Sequence, residues 1–379
     1  ERMCGGGSAV LLGDCYVTCG VLGEGGFGRV LIVKQRATGR VLALKIMRKR
    51  ALASGGPLAV EQALREREVL IKLARQPHPF IVRLHHAFQD VANLYLAMDY
   101  IGGGDIFDLL QRYGRVPLSY AVFAGASICL ALEHVHSMGV LYRDLKPENV
   151  LVAMSGHLVL ADFGLAKCLV SYGDRTTTLC GTPAYMAPEM LRGEAYGCEV
   201  DWWAFGCVMY NLIAGRDAFR EDAMDKLISR VRRGDYEGHR LDGVEHAGEL
   251  IGALLQTNME QRIGAKGLRD HPFFARIDFD RLVSRSLRPP CIPSAELMEL
   301  DTERGKSVHV SRSPGRGELP GLEARLDAAF SAWSVTDAAG SSGATSPRDS
   351  GTHGGGGVLL SGRARRRGIG GDVGLGRAP

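Results

Sequence analysis

Three short stretches in fixed order constrain this chain more than anything else in it. Leu141-Tyr-Arg-Asp-Leu-Lys-Pro-Glu-Asn-Val-Leu151 is followed by Ala161-Asp-Phe-Gly164, and that by Leu179-Cys-Gly-Thr-Pro-Ala-Tyr-Met-Ala-Pro-Glu189. An aspartate closely followed by a lysine and an asparagine, with a second aspartate further on, assembles hard oxygen donors and one cation. That is the set needed to move a phosphoryl group from a magnesium nucleotide to a hydroxyl. In this reading Asp144 orients the acceptor hydroxyl and takes its proton, Lys146 neutralises charge on the moving group, and Asn149 and Asp162 hold Mg2+. Positioning and electrostatics then carry the rate, because little covalent chemistry is left for the protein. The bland alternative, an Asp144–Arg143 surface ion pair, explains one dipeptide but not the ordered set.

The segment resembles the eukaryotic protein kinases, and Tyr-Arg-Asp together with Leu-Cys-Gly-Thr-Pro resembles the AGC group, the serine/threonine kinases related to protein kinases A, G and C. The resemblance covers about Asp14 to Ser294 closely and extends less closely to about Trp333. It implies an α+β, bilobal fold with a small β-rich N-lobe and a larger, mostly helical C-lobe. It also implies ATP and Mg2+ as cofactors and an organisation into a flexible N-terminus (1–14), a catalytic domain (15–274), an AGC-type tail (275–335) and a disordered Gly/Ser/Arg-rich end (336–379).

Bulk properties are compatible with this. A chain of 379 residues exceeds one ordinary core, so two lobes are expected. A net charge of +4 is too small to suggest a nucleic-acid partner. The nine cysteines form no Cys-x-x-Cys pair and no zinc spacing, which points to reduced thiols in the cytoplasm or nucleus. Cys180, beside the expected activation site, is the one candidate for a thiol sensor. The most apolar run, near Ala121 to Leu132, is short, carries Ser127 and reads as a buried helix, so no transmembrane segment is expected.

Val21 to Val33 is apolar and β-branched on both sides of a glycine cluster, as expected for two strands joined by a turn. Gly23, Gly25 and Gly28 leave backbone amides free to approach phosphate oxygens. A dinucleotide fold would need a helix after the third glycine; here a strand-like run follows, then Lys45 in Val41-Leu-Ala-Leu-Lys45. A lysine in such a strand is costly to bury unpaired unless it snorkels to the surface. The family pattern supplies Glu66 from the next helix, and its competitor Glu68 falls on another face. By resemblance the nucleotide is held by Leu22, Gly23, Glu24, Gly25, Gly26, Phe27, Gly28, Val30, Ala43, Lys45, Glu66, Met98, Asp99, Ile101, Asp105 and Leu151. Met98 alone would read as core, and Asp105 equally as a helix N-cap. His78–Val82 and Leu94–Ile101 read as strands, as do Val150–Val152 and His157–Leu160 about a turn at Gly156.

The resemblance further implies that Thr182 bonds Asp144 and Lys146, that Glu189 pairs with a buried Arg262, and that Asp201 braces the catalytic loop. Asp105 and Glu148 match the acidic pair that receives an arginine three residues before the phosphorylated residue, so the expected partners are proteins with basic residues before Ser or Thr. Thr178 falls where the group carries an activating phosphate, with Arg143 and Lys167 as its cations. Arg175, three residues earlier, suits self-phosphorylation. Departures are also visible: Gln62 stands where related kinases have a histidine that contacts that phosphate, and Ser229 stands where a further acidic residue is expected. Phe330 and Trp333 resemble the aromatic pair that lies across the nucleotide site, while no hydrophobic motif of the kind that folds back on the small lobe is evident. A regulatory partner at the small lobe remains an expectation. The rivals are a pseudokinase scaffold, which should lack Lys45, Asp144 or Asp162, and a small-molecule kinase, disfavoured by the peptide-platform pattern of Thr178 to Glu189.

Overall fold

The structure, a computed structural model, describes residues 12–26, 28–169, 173–290, 329–331 and 333–336. A short helix α1 (Leu12–Cys15) leads into β1 (Tyr16–Gly25), β2 (Gly28–Gln35) and β3 (Val41–Arg48); α2 (Lys49–Ser54) and α3 (Pro57–Ala74) precede β4 (Leu84–Gln89) and β5 (Asn93–Asp99). The strands pair antiparallel in the order β1-β2-β3-β5-β4. Strand alternation divides β3 between two layers. Leu42, Leu44 and Ile46 join Tyr16, Leu31, Val33 and Tyr95 in a small core on one face. Lys45 and Met47 point the other way, towards α3 and the cleft. Helix α3 starts with Pro57 after Gly56, whose φ of 81° only glycine adopts at little cost, and it buries Ala59, Ala63, Val69, Leu70 and Leu73.

The larger lobe follows, with α4 (Ile106–Tyr113), α5 (Leu118–Ser137), β6 (Val140–Leu141), β7 (Val150–Val152), β8 (Leu158–Leu160) and β9 (Lys167–Cys168). It continues through α6 (Pro188–Arg192), α7 (Glu199–Ala214), α8 (Met224–Arg233), α9 (Ala247–Leu254), α10 (Ala265–Arg269) and α11 (Phe279–Val283). Helices α5 and α7 are apolar around most of their circumference because other helices cover them on several sides. Length and apolarity alone would let α5 cross a bilayer, yet 72% of its apolar window is buried inside the domain. It is a core helix, and Ser127 satisfies its hydroxyl by donating to the Phe123 carbonyl at 2.9 Å. Glu189 and Arg262 meet in a bidentate pair at 2.6 and 3.0 Å, with side chains 1% and 0% exposed.

Two expectations require correction. His78–Val82 is not a strand: Pro79 has no N–H to give a ladder, Ile81 N–H bonds back to the His78 carbonyl, and only an isolated bridge from Ile81 to Leu160 forms before β4 begins at Leu84. Most of the stretch expected to be a flexible N-terminus, residues 1–11, lies outside the described residues. The tail differs most. Phe330 and Trp333 do not lie across the nucleotide site; both are fully buried against the small lobe, and β10 (Val335–Thr336) adds to the free edge of β4. Gln89 donates to the Phe330 carbonyl at 2.7 Å, Arg67 to the Trp333 carbonyl at 2.6 Å, and the Trp333 indole N–H to the Tyr95 carbonyl at 3.3 Å. An edge strand with unpaired amides and an apolar seat beside α3 are what a short β-augmenting segment needs. The chain therefore does fold back on the small lobe. The expected tail stretch 291–328 and the end beyond Thr336 lie outside the described residues.

Two outcomes follow for stability in denaturant unfolding. Arg262→Ala should cost about 3–5 kcal/mol, because Glu189 is left as an uncompensated buried charge, whereas replacing both partners by apolar residues of similar volume should cost far less. Trp333→Ala should cost about 3–5 kcal/mol through loss of a fully buried aromatic side chain. A change below about 1 kcal/mol for Trp333→Ala would show that the segment does not dock.

Candidate phosphoryl-transfer site

The site forms where the two lobes face one another. From the small lobe, Lys45 on β3 meets Glu66 on α3 at 2.6 Å, and Lys45 also lies 3.7 Å from Asp162. Burial alone would drag the Lys45 ammonium down; Glu66 and Asp162 together outweigh it and hold its pKa above the ordinary lysine value. Glu66 is buried, whereas Glu68 is exposed on another face and takes no part.

From the large lobe, the catalytic loop is held in a conformation that the chain alone disfavours. Arg143 has φ 68° and Asp162 φ 50°, left-handed values that cost energy for residues with a Cβ. Asp201, in the first turn of α7, fixes the first of these by accepting from the backbone N–H groups of Tyr142 at 3.0 Å and Arg143 at 2.7 Å, with His136 at 2.7 Å on the same carboxylate. Asp144 then faces Lys146 at 2.9 Å and the Asn149 amide at 2.9 Å, and Asn149 also donates to the Asp144 carbonyl at 2.7 Å. Burial raises the Asp144 carboxyl above the usual carboxylate range, opposed by hydrogen bonding to and charge on Lys146. Thr182 reaches Lys146 at 3.4 Å. It makes no hydrogen bond to Asp144, contrary to expectation: Lys146 and Asn149 both donate to Asp144 Oδ2, and the Thr182 hydroxyl meets Lys146 instead.

A cavity of about 490 Å³ opens between these groups, walled by Gly25, Lys45, Glu66, Asp144 and Asp162. Gly23, Glu24, Gly26, Gly28 and Val30 line its roof. A Cβ at Gly28 would come within 1.8 Å of the Ile46 carbonyl, so glycine is required there by packing against β3, whereas Gly23, Gly25 and Gly26 have open space around them. Phe27 lies outside the described residues. Leu22 on β1, Ala43 on β3, Met98 on β5 and Leu151 on β7 lie outside the cavity wall, with Ala43 and Met98 paired across β3 and β5. Asp99 and Ile101 begin the link between lobes. The Asp99 side chain turns away, to His85 at 2.7 Å, and its backbone N–H donates to the Arg83 carbonyl at 3.0 Å. A half-exposed Asp162 carboxylate and the Asn149 side-chain oxygen are hard oxygen donors that fit Mg2+ shared with phosphate oxygens.

Outside the cavity wall, Asp105 caps α4 by accepting from Asp108 N–H at 2.8 Å, and Glu148 is exposed on the 3-10 turn Pro147–Asn149 against which α4 packs. Thr178 is exposed; its carbonyl accepts from the Tyr196 hydroxyl at 2.5 Å, and its hydroxyl lies 3.2 Å from that of Thr176. Lys167 donates to Thr176 at 3.0 Å, while Arg143 is occupied by the Leu165 carbonyl at 2.8 Å and the Tyr196 hydroxyl at 3.4 Å. Gln62 lines the cavity instead of facing the loop. Arg67 is the residue the sequence reading missed. It follows Glu66 directly, and its carbonyl partner Trp333 is too distant along the chain for any local pattern to show the contact.

The acid limb of the pH profile tests the electrostatics. For the role expected of Asp144, acceptance of the hydroxyl proton, the carboxylate must be ionised, so kcat/KM should rise with pH through a pKa above that of an ordinary aspartate. Lys146 favours the charged form, so Lys146→Ala should move this limb to higher pH as well as lower the plateau. A limb that stays in place would show that Asp144 is not the titrating group.

Residues 16–274 match the protein kinase domain family. Among curated proteins, the serine/threonine-protein kinase gad8 of Schizosaccharomyces pombe is 38% identical over 305 residues, 79% of this chain and 52% of that protein. The serine/threonine-protein kinase Sgk2 of Homo sapiens is 37% identical over 307 residues, covering 78% of this chain and 81% of its own length. Protein kinase C of Drosophila melanogaster is 38% identical over 277 residues, 72% of this chain and 37% of that protein. The chain thus spans about half of gad8 and little more than a third of the Drosophila protein. With a kinase-domain match over most of its length and relatives of this kind, the chain belongs to the protein kinase family, in its AGC group.

Proposed function

We propose that this chain transfers the γ-phosphoryl group of ATP to serine or threonine hydroxyls of proteins that carry arginine three residues before the acceptor. The observation that carries the reading is the convergence of Lys45–Glu66, Asp144–Lys146–Asn149 and Asp162 on one cavity. A pseudokinase scaffold has no need of that whole set. ATP with Mg2+ supplies the activated phosphoryl group and the counter-charge. Lys45, kept cationic by its two carboxylate neighbours, would hold phosphate oxygens, and Asn149 and Asp162 would hold the metal. Asp144 would orient the acceptor hydroxyl and take its proton, with Lys146 close enough to balance charge on the group in transit.

Asp105 and Glu148 support the arginine preference, since α4, which Asp105 caps, packs against the turn that carries Glu148, and Glu148 is exposed. A charge-assisted pair with a guanidinium is worth about 1.5–3 kcal/mol. Selection two residues before the acceptor should be weak: Ser229 stands where an acidic reader is expected, and its hydroxyl is held by Arg233 at 2.6 Å. Thr178 is itself a substrate in this reading, phosphorylated by a second copy. Arg175, three residues before it, has exposed contacts to the Ala195 carbonyl at 3.3 Å, to Met259 Sδ at 3.3 Å and to Glu199 at 3.4 Å that cost little to release. The unpaired thiols at Cys19, Cys168, Cys180 and Cys198 are in keeping with a cytoplasmic or nuclear setting.

Asp144→Asn should lower transfer to a peptide with arginine at that position by at least 10³-fold, about 4 kcal/mol, without moving the melting temperature. Replacing the arginine by alanine in the peptide should cost about 10- to 100-fold in kcat/KM. Protein made in bacteria should carry phosphate at Thr178 by mass spectrometry, and the Asp144→Asn form should not. Near wild-type turnover by Asp144→Asn, or a preference for acidic or proline-directed peptides, would overturn the reading.

A further inference from the structure

The side of α3 away from Lys45 carries a feature that the phosphoryl-transfer site does not use. Arg65, Glu68, Lys72 and Arg75 recur at intervals of three and four residues, so they share one side of the helix. With Lys167 of β9 across from them and Arg67 at one rim, they line a groove of about 720 Å³ in which five cations face a single carboxylate, Glu68. Some of this charge is engaged: Arg65 pairs with Glu61, and Arg67 holds the Trp333 carbonyl and lies 5.6 Å over its ring. Lys72 and Arg75 have no carboxylate partner among the described residues. The crowding is felt at Lys167, whose pKa is lowered by desolvation and then by Arg143 and Arg65. Thr178 does not account for the whole row. A phosphate there would lie at the Lys167 end, whereas Arg75 is about 15 Å along the helix from Arg65.

We propose that the groove between α3 and β9 is a docking site for an extended acidic peptide segment of a partner protein. The shape chooses this occupant over a compact polyphosphate. Cations converging on one point would suit a headgroup, but these lie in a row about 15 Å long, the span of about five extended residues. Same-face side chains of an extended chain recur about every 6.6 Å, close to the spacing of about 5–6 Å between Lys72 and Arg75, three residues apart on the helix; Arg65 stands about 10.5 Å from Lys72, with Glu68 between them. Glu68, within the row, is tolerated by carboxylates spaced along a chain and repels a dense cluster of phosphates.

The test uses the full chain and fluorescein-labelled octaglutamate, read by fluorescence anisotropy. Binding should weaken steeply as salt rises. Lys72→Glu with Arg75→Glu should reduce affinity at least tenfold, while turnover on a short peptide and melting temperature stay at wild-type values. Lys72→Arg with Arg75→Lys should retain binding. Absence of salt-sensitive binding by the wild type, or undiminished binding by the charge-reversed form, overturns the proposal. Displacement by inositol hexakisphosphate at far lower concentration than by unlabelled octaglutamate would reassign the groove to a compact polyphosphate. If replacing Glu296, Glu299, Asp301 and Glu303 by their amides tightened octaglutamate binding tenfold or more, the occupant would be the chain's own segment and not a partner.

Discussion

Asp201 is fully buried, and an isolated carboxylate in that position would be expensive. Three donors and its place in the first turn of α7, where the helix dipole favours negative charge, offset the cost. The arrangement joins three parts of the large lobe at one atom pair: α7 supplies the carboxylate, α5 supplies His136, and the catalytic loop supplies two amides. Since one amide belongs to Arg143 at φ 68°, the strained turn that aims Asp144 into the cavity is stabilised from behind by a charge that cannot move. The Asp144 carboxylate is thus placed by a second carboxylate that does not line the cavity. Each side chain can be tuned separately because burial and partners differ: Asp201 receives amides, Asp144 a cation and an amide.

The small lobe solves a comparable problem with neighbouring residues of one helix. Glu66 faces inward to Lys45, and Arg67, next in sequence, faces the tail segment at Trp333. A rigid helix cannot move one of these residues without the other, so the position of the Lys45 partner and the seating of Phe330 and Trp333 are mechanically linked. The link is polar at the helix and apolar beneath it, where Trp333 and Phe330 are buried in the same core as Val69, Leu70 and Leu73.

What could be read from the chain alone follows the range of each interaction. Val150–Val152 and Leu158–Leu160 were legible because a hairpin about Gly156, at φ 84°, is a local event. Lys45 was legible because a lysine in an apolar strand demands a counter-charge, and Glu66 because the family resemblance supplies it as that partner. His78–Val82 misled because its apolar residues pack as a turn against β8, a burial that looks like a strand when partners are unknown. The docking of Phe330 and Trp333 was illegible for a different reason. Aromatic residues in a short window report that something is to be buried, and nothing in the window says against which surface. The edge of β4 and the Arg67 side chain decided that, and both lie far away in sequence. The missing Thr182–Asp144 bond shows the same limit at atomic scale, since three candidates competed for one carboxylate and geometry chose two.

Net charge illustrates why local fields must be read from structure. A surplus of +4 over 379 residues predicts no strong attraction to anything, and as a statement about the whole molecule it is sound. Yet Asp105 and Glu148 lie on two elements that pack together, while the far side of α3 concentrates Arg65, Lys72, Arg75 and Lys167. With a screening length of about 8 Å at physiological salt, a charge in one of these regions is largely invisible in the other. The two fields therefore do not cancel for a ligand that touches one of them. In the readings proposed above, a cationic segment is favoured beside Asp105 and Glu148 and an anionic one at the helix, and one partner could satisfy both only by carrying the two charge types on separate stretches.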